Sequence, residues 1–207
     1  MRFGAARRGP GRPGHRTDLC QSGTMDVRLL RPEEAPAVAA TLRHRIVVAD
    51  RLERQRRDEC LYLVAWEGGT PVGQILLHRR RPSALAVAGV VDLLPYIEDV
   101  FVLPEWRNRG IGTALLEAAE RAAAARGDRG VSLAVSTGNA AARRLYTRRG
   151  YVDAGVPEHR HASTEPGFDD EGHSGNGTVV DLVKRLDAVT AAAWPTARGG
   201  DRPRDAR

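Results

Sequence analysis

The sequence predicts an α/β (α+β) domain in which helices cover a mixed β-sheet, and three observations carry that prediction. Apolar, β-branched runs alternate with Ala- and Leu-rich helical stretches in the order β, α, β, β, β, α, β, α, β, β. Two of the strand runs, Leu61 to Trp66 and Pro71 to His78, are separated only by Glu67-Gly68-Gly69-Thr70, a hairpin signal that demands an antiparallel pair. The 207 residues are 42% apolar and carry no internal repeat, which suits one domain with its own core.

Val27 to Leu30 reads as a short strand. Pro32, near a first helical position, opens a helical region from Glu33 to about Glu59 that forms one or two helices. The hairpin follows. Residues 79 to 94 hold Arg79-Arg80-Arg81, Pro82 and an apolar stretch, and read as a loop or insertion. Tyr96 to Leu103 is a strand that Pro104 stops, since proline has no N–H for the ladder. Gly110 to Arg126 is a helix ended by Gly127, Val131 to Val135 a strand, and Asn139 to Arg149 a helix ended by Gly150. Tyr151 to Gly155 and Thr178 to Leu186 close the sheet, with a polar segment, 156 to 177, that exceeds an ordinary hairpin loop.

The net charge is +6, but residues 1 to 24 carry +4 and residues 195 to 207 carry +2, so 25 to 194 is neutral. A protein that grips a phosphate backbone places its basic excess on the folded module, and this distribution argues against nucleic acid. The Arg, Gly and Pro of 1 to 24 offer too little apolar surface to offset ordering entropy, so 1–24 and 188–207 read as disordered extensions around a single domain, 25–187. Met25, followed at once by strand-like residues, fits a natural start. No run of roughly 18 apolar residues predicts a membrane span, and no h-region predicts secretion. Cys20 and Cys60 show no paired pattern, which points to a reducing, cytoplasmic setting.

In such a sheet ligands bind at turns from strand to helix, which directs attention beyond Leu103. Arg107-Asn108-Arg109-Gly110-Ile111-Gly112-Thr113 occupies that turn. Its glycines let backbone approach a ligand, and the first amides of the new helix point outward with a partial positive charge, a setting for an anion such as pyrophosphate. The lysine of a P-loop and the third glycine of a dinucleotide fingerprint are absent. Alone, the turn reads more readily as a tight turn that caps a surface helix. Farther on, Asn139 caps a helix whose Tyr146 lies seven residues later on the same face, so a polar cap and a phenol look toward one groove.

Together, Val102 to Gly112 and Asn139 to Tyr151 resemble the V-x-P-x-x-R-x-x-G-x-G and N-x-x-A-x-x-L-Y-x-x-x-G-Y motifs of the GNAT (Gcn5-related) N-acetyltransferase superfamily. The resemblance covers about residues 26 to 155. It implies a mostly antiparallel sheet of six to seven strands, helices on both faces and a splayed central strand. It further implies an N-acetyltransferase that takes acetyl-CoA as acyl donor, without a metal, and passes the acetyl group to a primary amine of a small molecule or protein. The pantetheine arm would pair with Val100, Phe101 and Val102, and the amides of Arg107, Asn108, Arg109, Gly110, Ile111, Gly112 and Thr113 would hold the pyrophosphate. Asn139 would touch the pantetheine end, and Tyr146 would protonate the departing thiolate. Glu98 matches the general base of the histone-acetyltransferase branch, with a water relaying the proton. Family members are often homodimers. An alternative on the same residues is an acyl-CoA-binding regulatory module without turnover.

Strand alternation sends Glu98 and its neighbour Asp99 to opposite faces, so one of them faces the cleft. His159, His161, His173, Asp169, Asp170 and Glu171 crowd the 156 to 177 segment without the spacing of a metal site, so it reads as a solvated loop, with the lining of an acceptor pocket as the alternative. Arg79-Arg80-Arg81 reads as a solvated charge run. Arg51, Arg54, Arg56 and Arg57, beside Glu53, Asp58 and Glu59, read as an exposed helix, while Tyr62, Trp66 and Phe101 read as packing residues.

Overall fold

The computed structural model describes residues 25–42, 45–83, 86–87, 89–160 and 177–186. The two expected extensions, 1–24 and 188–207, lie outside it, as do His161, Asp169, Asp170, Glu171 and His173. Among the described residues no helix is long and apolar enough to cross a membrane.

Among the described residues, eight strands form one sheet: β1 (Asp26–Leu29), β2 (Cys60–Glu67), β3 (Thr70–His78), β4 (Tyr96–Val102), β5 (Gly130–Ser136), β6 (Val152–Asp153), β7 (His159–Arg160) and β8 (Thr178–Arg185). Their order is β1-β2-β3-β4-β5-β8-β6, with β7 also pairing with β8. Every pairing is antiparallel except that of β4 with β5. The two-residue β7 falls inside the polar 156 to 177 segment, where no hydrophobic alternation announces a strand.

Four α-helices of the described residues cover the sheet: α1 (Ala35–Thr41), α2 (Arg45–Arg56), α3 (Ile111–Ala125) and α4 (Ala140–Arg148). Ala-rich α3 has high intrinsic helix propensity and lays Ile111, Leu115, Leu116, Ala119 and Ala123 on the sheet. It packs with Leu63, Ile75, Leu77, Ile97, Leu133 and Leu182, all on one sheet face. On the opposite face Val38, Leu42 and Val48 of α1 and its neighbours meet Tyr62, Val64, Trp66 and Leu76. Tyr62, Trp66 and Phe101 thus serve as packing residues, as the sequence predicts.

Between β3 and β4, Arg81, Val91 and Pro95 are tied to the neighbouring strands. Arg81 is buried, hydrogen-bonds to the buried carboxylate of Asp181 on β8, and lies 4.7 Å from the centre of the Tyr96 ring. Ser132 of β5 donates to the carbonyls of Val91 and Pro95 from below. The solvated charge run expected at 79 to 81 is therefore corrected at its last member, whose charge is matched by a carboxylate 100 residues away in the chain.

Candidate active site

β4 and β5 pair at two positions only, Tyr96 with Ser132 and Ile97 with Leu133. Beyond them β4 continues along β3 to Val102, and β5 continues along β8 to Ser136. The facing edges separate there, leaving a wedge lined by β4 main chain from Glu98 onward. Backbone donors and acceptors at such an edge are ready to pair with an extended ligand.

The wedge owes its shape to a bulge. Gln74 pairs with Phe101 but Leu76 with Glu98, so two steps on β3 face three on β4, and Asp99 carries the extra residue at φ +52°. This overturns the simple alternation. Glu98 and Asp99 both turn to the α2 side of the sheet: Glu98 Oε2 lies 2.8 Å from His78 Nε2, and Asp99 accepts from Gln74 Nε2. Val100 then points back to the α3 side and packs with that core, while Phe101 packs under α1 and α2.

Asp99 is also bound by Arg51 of α2, with Nη1 2.6 Å from Oδ2. Arg51 is 1% exposed, so the reading of this arginine as one of an exposed set is corrected. Its neighbours Arg56 and Arg57 do lie at the surface, where they pair with Glu53. Tyr62 donates to Gln74 Oε1 at 2.6 Å, and the Arg51 guanidinium lies 5.3 Å from the Tyr62 ring centre. The bulge is thus pinned from beneath by Arg51, Gln74 and Tyr62. Val48, Arg51, Leu52 and Gln55 fall at helical three- and four-residue spacing, the one sequence signal that Arg51 shares a buried stripe.

The turn after β4 leads from the bulge to α3. A short 3-10 turn, Pro104–Trp106, is followed by Asn108 at φ +61° and Gly110 at φ +82°. Gly110 is the N-cap, with no side-chain cap, and Ala114 N–H is the donor that reaches its carbonyl. The amides of Ile111, Gly112 and Thr113 precede that first helical bond and point out of the helix end. A Cβ on Gly112 would lie 3.3 Å from Leu145 Cδ2 of α4, so glycine there lets the start of α3 approach the C-terminal half of α4 closely. Arg107 donates from Nε to the Val102 carbonyl at 3.2 Å, and the Arg109 guanidinium lies 4.7 Å from the Trp106 ring centre. Two arginines therefore flank the exposed amides.

Across the wedge, Asn139 caps α4 by accepting from the Ala142 N–H at 3.0 Å. Tyr146, two turns on, is 7% exposed, and its ring lies 5.7 Å from that of Tyr151. Burial, reinforced by the negative charge of Asp99, raises the Tyr146 pKa above the ordinary phenol range. That influence puts the phenol within electrostatic reach of the bulge. The Cys60 thiol is buried under α2 and pushed up to about 11 by that burial, so it is not primed as a nucleophile. The β4 edge from Glu98 to Val102 thus lines the wedge and leads into the 107–113 turn, while Asn139 and Tyr146 lie on α4, which packs against the start of α3. Sequence reasoning missed Arg51, Gln74, His78 and Asp99 as supports of the wedge.

The profile of the acetyltransferase (GNAT) family matches residues 27–151, more than half of the chain. An uncharacterized N-acetyltransferase of Methanocaldococcus jannaschii is 36% identical over 101 residues, which is 49% of this chain and 43% of that protein; the match spans less than half of the relative's length. The structure superposes on a GNAT-family acetyltransferase from Streptococcus pneumoniae with a TM-score of 0.57 at 22% identity, covering 78% of this chain and 99% of the other. With the ribosomal-protein-S18-alanine N-acetyltransferase of Escherichia coli the TM-score is 0.58 at 18% identity, with coverage of 82% and 99%. At these identities the two superpositions speak for the fold.

Proposed function

The chain belongs to the GNAT acetyltransferase family, and from that premise we propose that it moves an acetyl group from acetyl-CoA to a primary amine of a small molecule or protein, by direct attack in a ternary complex. The observation that carries the proposal is the parting of β4 from β5 beside the exposed amides of α3. A ligand with two amide groups in an extended arm and a pyrophosphate at its end suits an unpaired strand edge that runs to a helix N-terminus. Bound there, acetyl-CoA supplies an activated thioester.

The chain's own groups then divide the work. The amides of Ile111, Gly112 and Thr113 and the flanking Arg107 and Arg109 hold the anionic end. The β4 edge from Val100 to Val102 holds the arm and offers its N–H groups to the carbonyl oxygen as negative charge develops. Glu98, on the α2 side, takes a proton from the incoming amine, directly or through a water. Tyr146, protonated well beyond neutral pH, gives its proton to the departing sulfur. A buried Cys60 held as thiol leaves no acyl-enzyme route through that residue. The proposal places the enzyme in the cytoplasm, where a free thiol such as Cys60 persists.

Calorimetry on the full chain tests the donor site with Gly110→Asn and Gly110→Asp. Both substitutions carry the same backbone strain at φ +82°, and a Cβ there meets nothing within 4 Å. The Asp variant alone adds a negative charge. Micromolar binding of acetyl-CoA, weakened at least tenfold more by Asp than by Asn, supports the site. A folded protein that binds no acetyl-CoA overturns it. Thiol release with an amine panel then separates the enzyme from a regulatory module, which would bind without turnover.

A further inference from the structure

His78 is a buried imidazole that the proposed reaction leaves unused, and its surroundings are specific. It ends β3, pairs with Tyr96 across the β3–β4 ladder and with Cys60 across β2–β3. Its side chain is 6% exposed, against 21% for that of Glu98, whose Oε2 lies 2.8 Å from Nε2. The Tyr96 ring lies 6.3 Å away, itself capped by Arg81, which pairs with Asp181 and has Asp92 3.7 Å away. Cys60, Tyr96, Glu98 and, behind Tyr96, Arg81 with its carboxylates are the titratable and charged groups facing the ring. One of these partners, Glu98, combines a hydrogen bond to the imidazole with partial access to solvent.

We propose that His78 is a positioning residue for acetyl transfer, which donates Nε2–H to Glu98 Oε2 and so holds the carboxylate ionised and fixed at the base of the wedge, where β4 leaves β5. The inference rests on the acetyltransferase reading and adds a group to it. An oxygen and a nitrogen 2.8 Å apart share one proton between them, since two facing lone pairs repel. With that proton on nitrogen, Oε2 is engaged and the carboxylate cannot rotate freely. The free energy of the anion is lowered because the hydrogen bond favours the charged form. In the transfer step the amine loses one N–H bond, Glu98 gains one O–H bond, and His78 keeps its proton throughout.

The action of His78 through Glu98 makes the double-mutant cycle the decisive test. In the full chain, His78→Leu removes the donor, His78→Gln replaces Nε2 with a neutral N–H donor, and Glu98→Gln removes the base. The expected result is a kcat at least tenfold lower for His78→Leu with the KM for acetyl-CoA within twofold, and partial recovery in His78→Gln. The acidic limb of the kcat/KM profile moves to higher pH in His78→Leu, since an anion without its donor takes up a proton more readily. In the Glu98→Gln background, His78→Leu costs less than a further twofold. The imidazole ¹⁵N resonance of Nε2 also moves in Glu98→Gln at fixed pH. An equal loss from His78→Leu in both backgrounds, an unmoved acidic limb, or a ¹⁵N resonance indifferent to Glu98 overturns the inference. Failure of the acetyltransferase reading looks different, because the wild type itself then releases no thiol from acetyl-CoA.

Discussion

Arg51 Nη1 and Asp99 Oδ2 meet at 2.6 Å beneath the β4 bulge, with side chains only 1% and 8% exposed. The ion pair ties α2 to the one strand residue whose φ is positive, and so links the helical layer to the wedge. Removing one member of a buried pair strands the other charge, at a cost of about 3–5 kcal/mol. Arg51→Met is therefore expected to lower the denaturant midpoint sharply without a change in m. Asp99→Asn is expected to cost a comparable amount, because asparagine tolerates positive φ and still accepts from Gln74 but leaves the buried Arg51 charge without this carboxylate. A double variant, Arg51→Met with Asp99→Asn, is expected to regain part of the lost stability, and urea titration of all three proteins checks the ordering.

Gly73 and Phe101 show how closely β3 approaches the far end of β4. A Cβ on Gly73 would stand 2.7 Å from the Phe101 carbonyl oxygen and 3.2 Å from Leu115 Cδ1. The oxygen belongs to the backbone and cannot swing away, so β4 itself must shift. Gly73→Ala is expected to cost about 1–3 kcal/mol as an overpacked site, seen as a lower thermal midpoint. The acetyl-CoA KM should rise with it, since the Val100 to Val102 edge moves.

Much of this site was legible in the sequence because it rests on main-chain geometry. Pro104, Gly110 and Gly112 mark the end of β4 and the start of α3 through what proline and glycine do to backbone, and Asn139 marks the start of α4 as a cap. The hairpin turn at Gly68-Gly69 was legible for the same reason, and both residues have positive φ. The supports under the bulge were not legible. Asp99 breaks the two-residue period by which a strand is read, and nothing in Glu98-Asp99-Val100 signals an extra residue. Arg51 and Arg81 look like members of charge runs, and their burial depends on Asp99 and Asp181, partners 48 and 100 residues away. Such long-range pairing leaves no local pattern.

Arg81 and Asp181 give a second buried pair, this time fastening the 79–95 segment to β8. Arg81→Met is expected to cost about 3–5 kcal/mol, for the reason given for Arg51. The effect on hydrogen exchange should be local as well as global. Amides of 89–95 should lose protection first, because Arg81 reaches Asp92 and packs on Tyr96 beside this stretch. Exchange mass spectrometry on the two proteins reads the difference.

Cys60 should resist thiol reagents for as long as the protein stays folded. Its thiol is buried, bonds weakly to the Arg51 carbonyl at 3.8 Å, and has its pKa pushed up to about 11. The thiolate is the reactive form, so little of it exists at pH 8. In a Cys20→Ser background the expected result is labelling that waits for denaturant. Rapid labelling of the native protein at pH 8 would contradict the burial.

Tyr146→Phe separates chemistry from packing. The ring sits in the core against Tyr151 and is retained by phenylalanine, so the stability change is expected to stay within about 1 kcal/mol, the scale of one hydrogen bond. Loss of the proton donor is expected to lower kcat by about 10²-fold or more, with acetyl-CoA affinity nearly unchanged. The sign of the pH dependence follows from the raised pKa. An acid must be protonated to act, and burial with the nearby Asp99 charge raises the Tyr146 phenol above its ordinary range. Activity should therefore persist past the pH at which an exposed tyrosine ionises, about 10. Asp99→Asn removes the charge but not the burial, so the basic limb of the kcat profile should move to lower pH by a modest amount in that variant. A basic limb that ignores both Tyr146→Phe and Asp99→Asn would take the phenol out of the proton transfer.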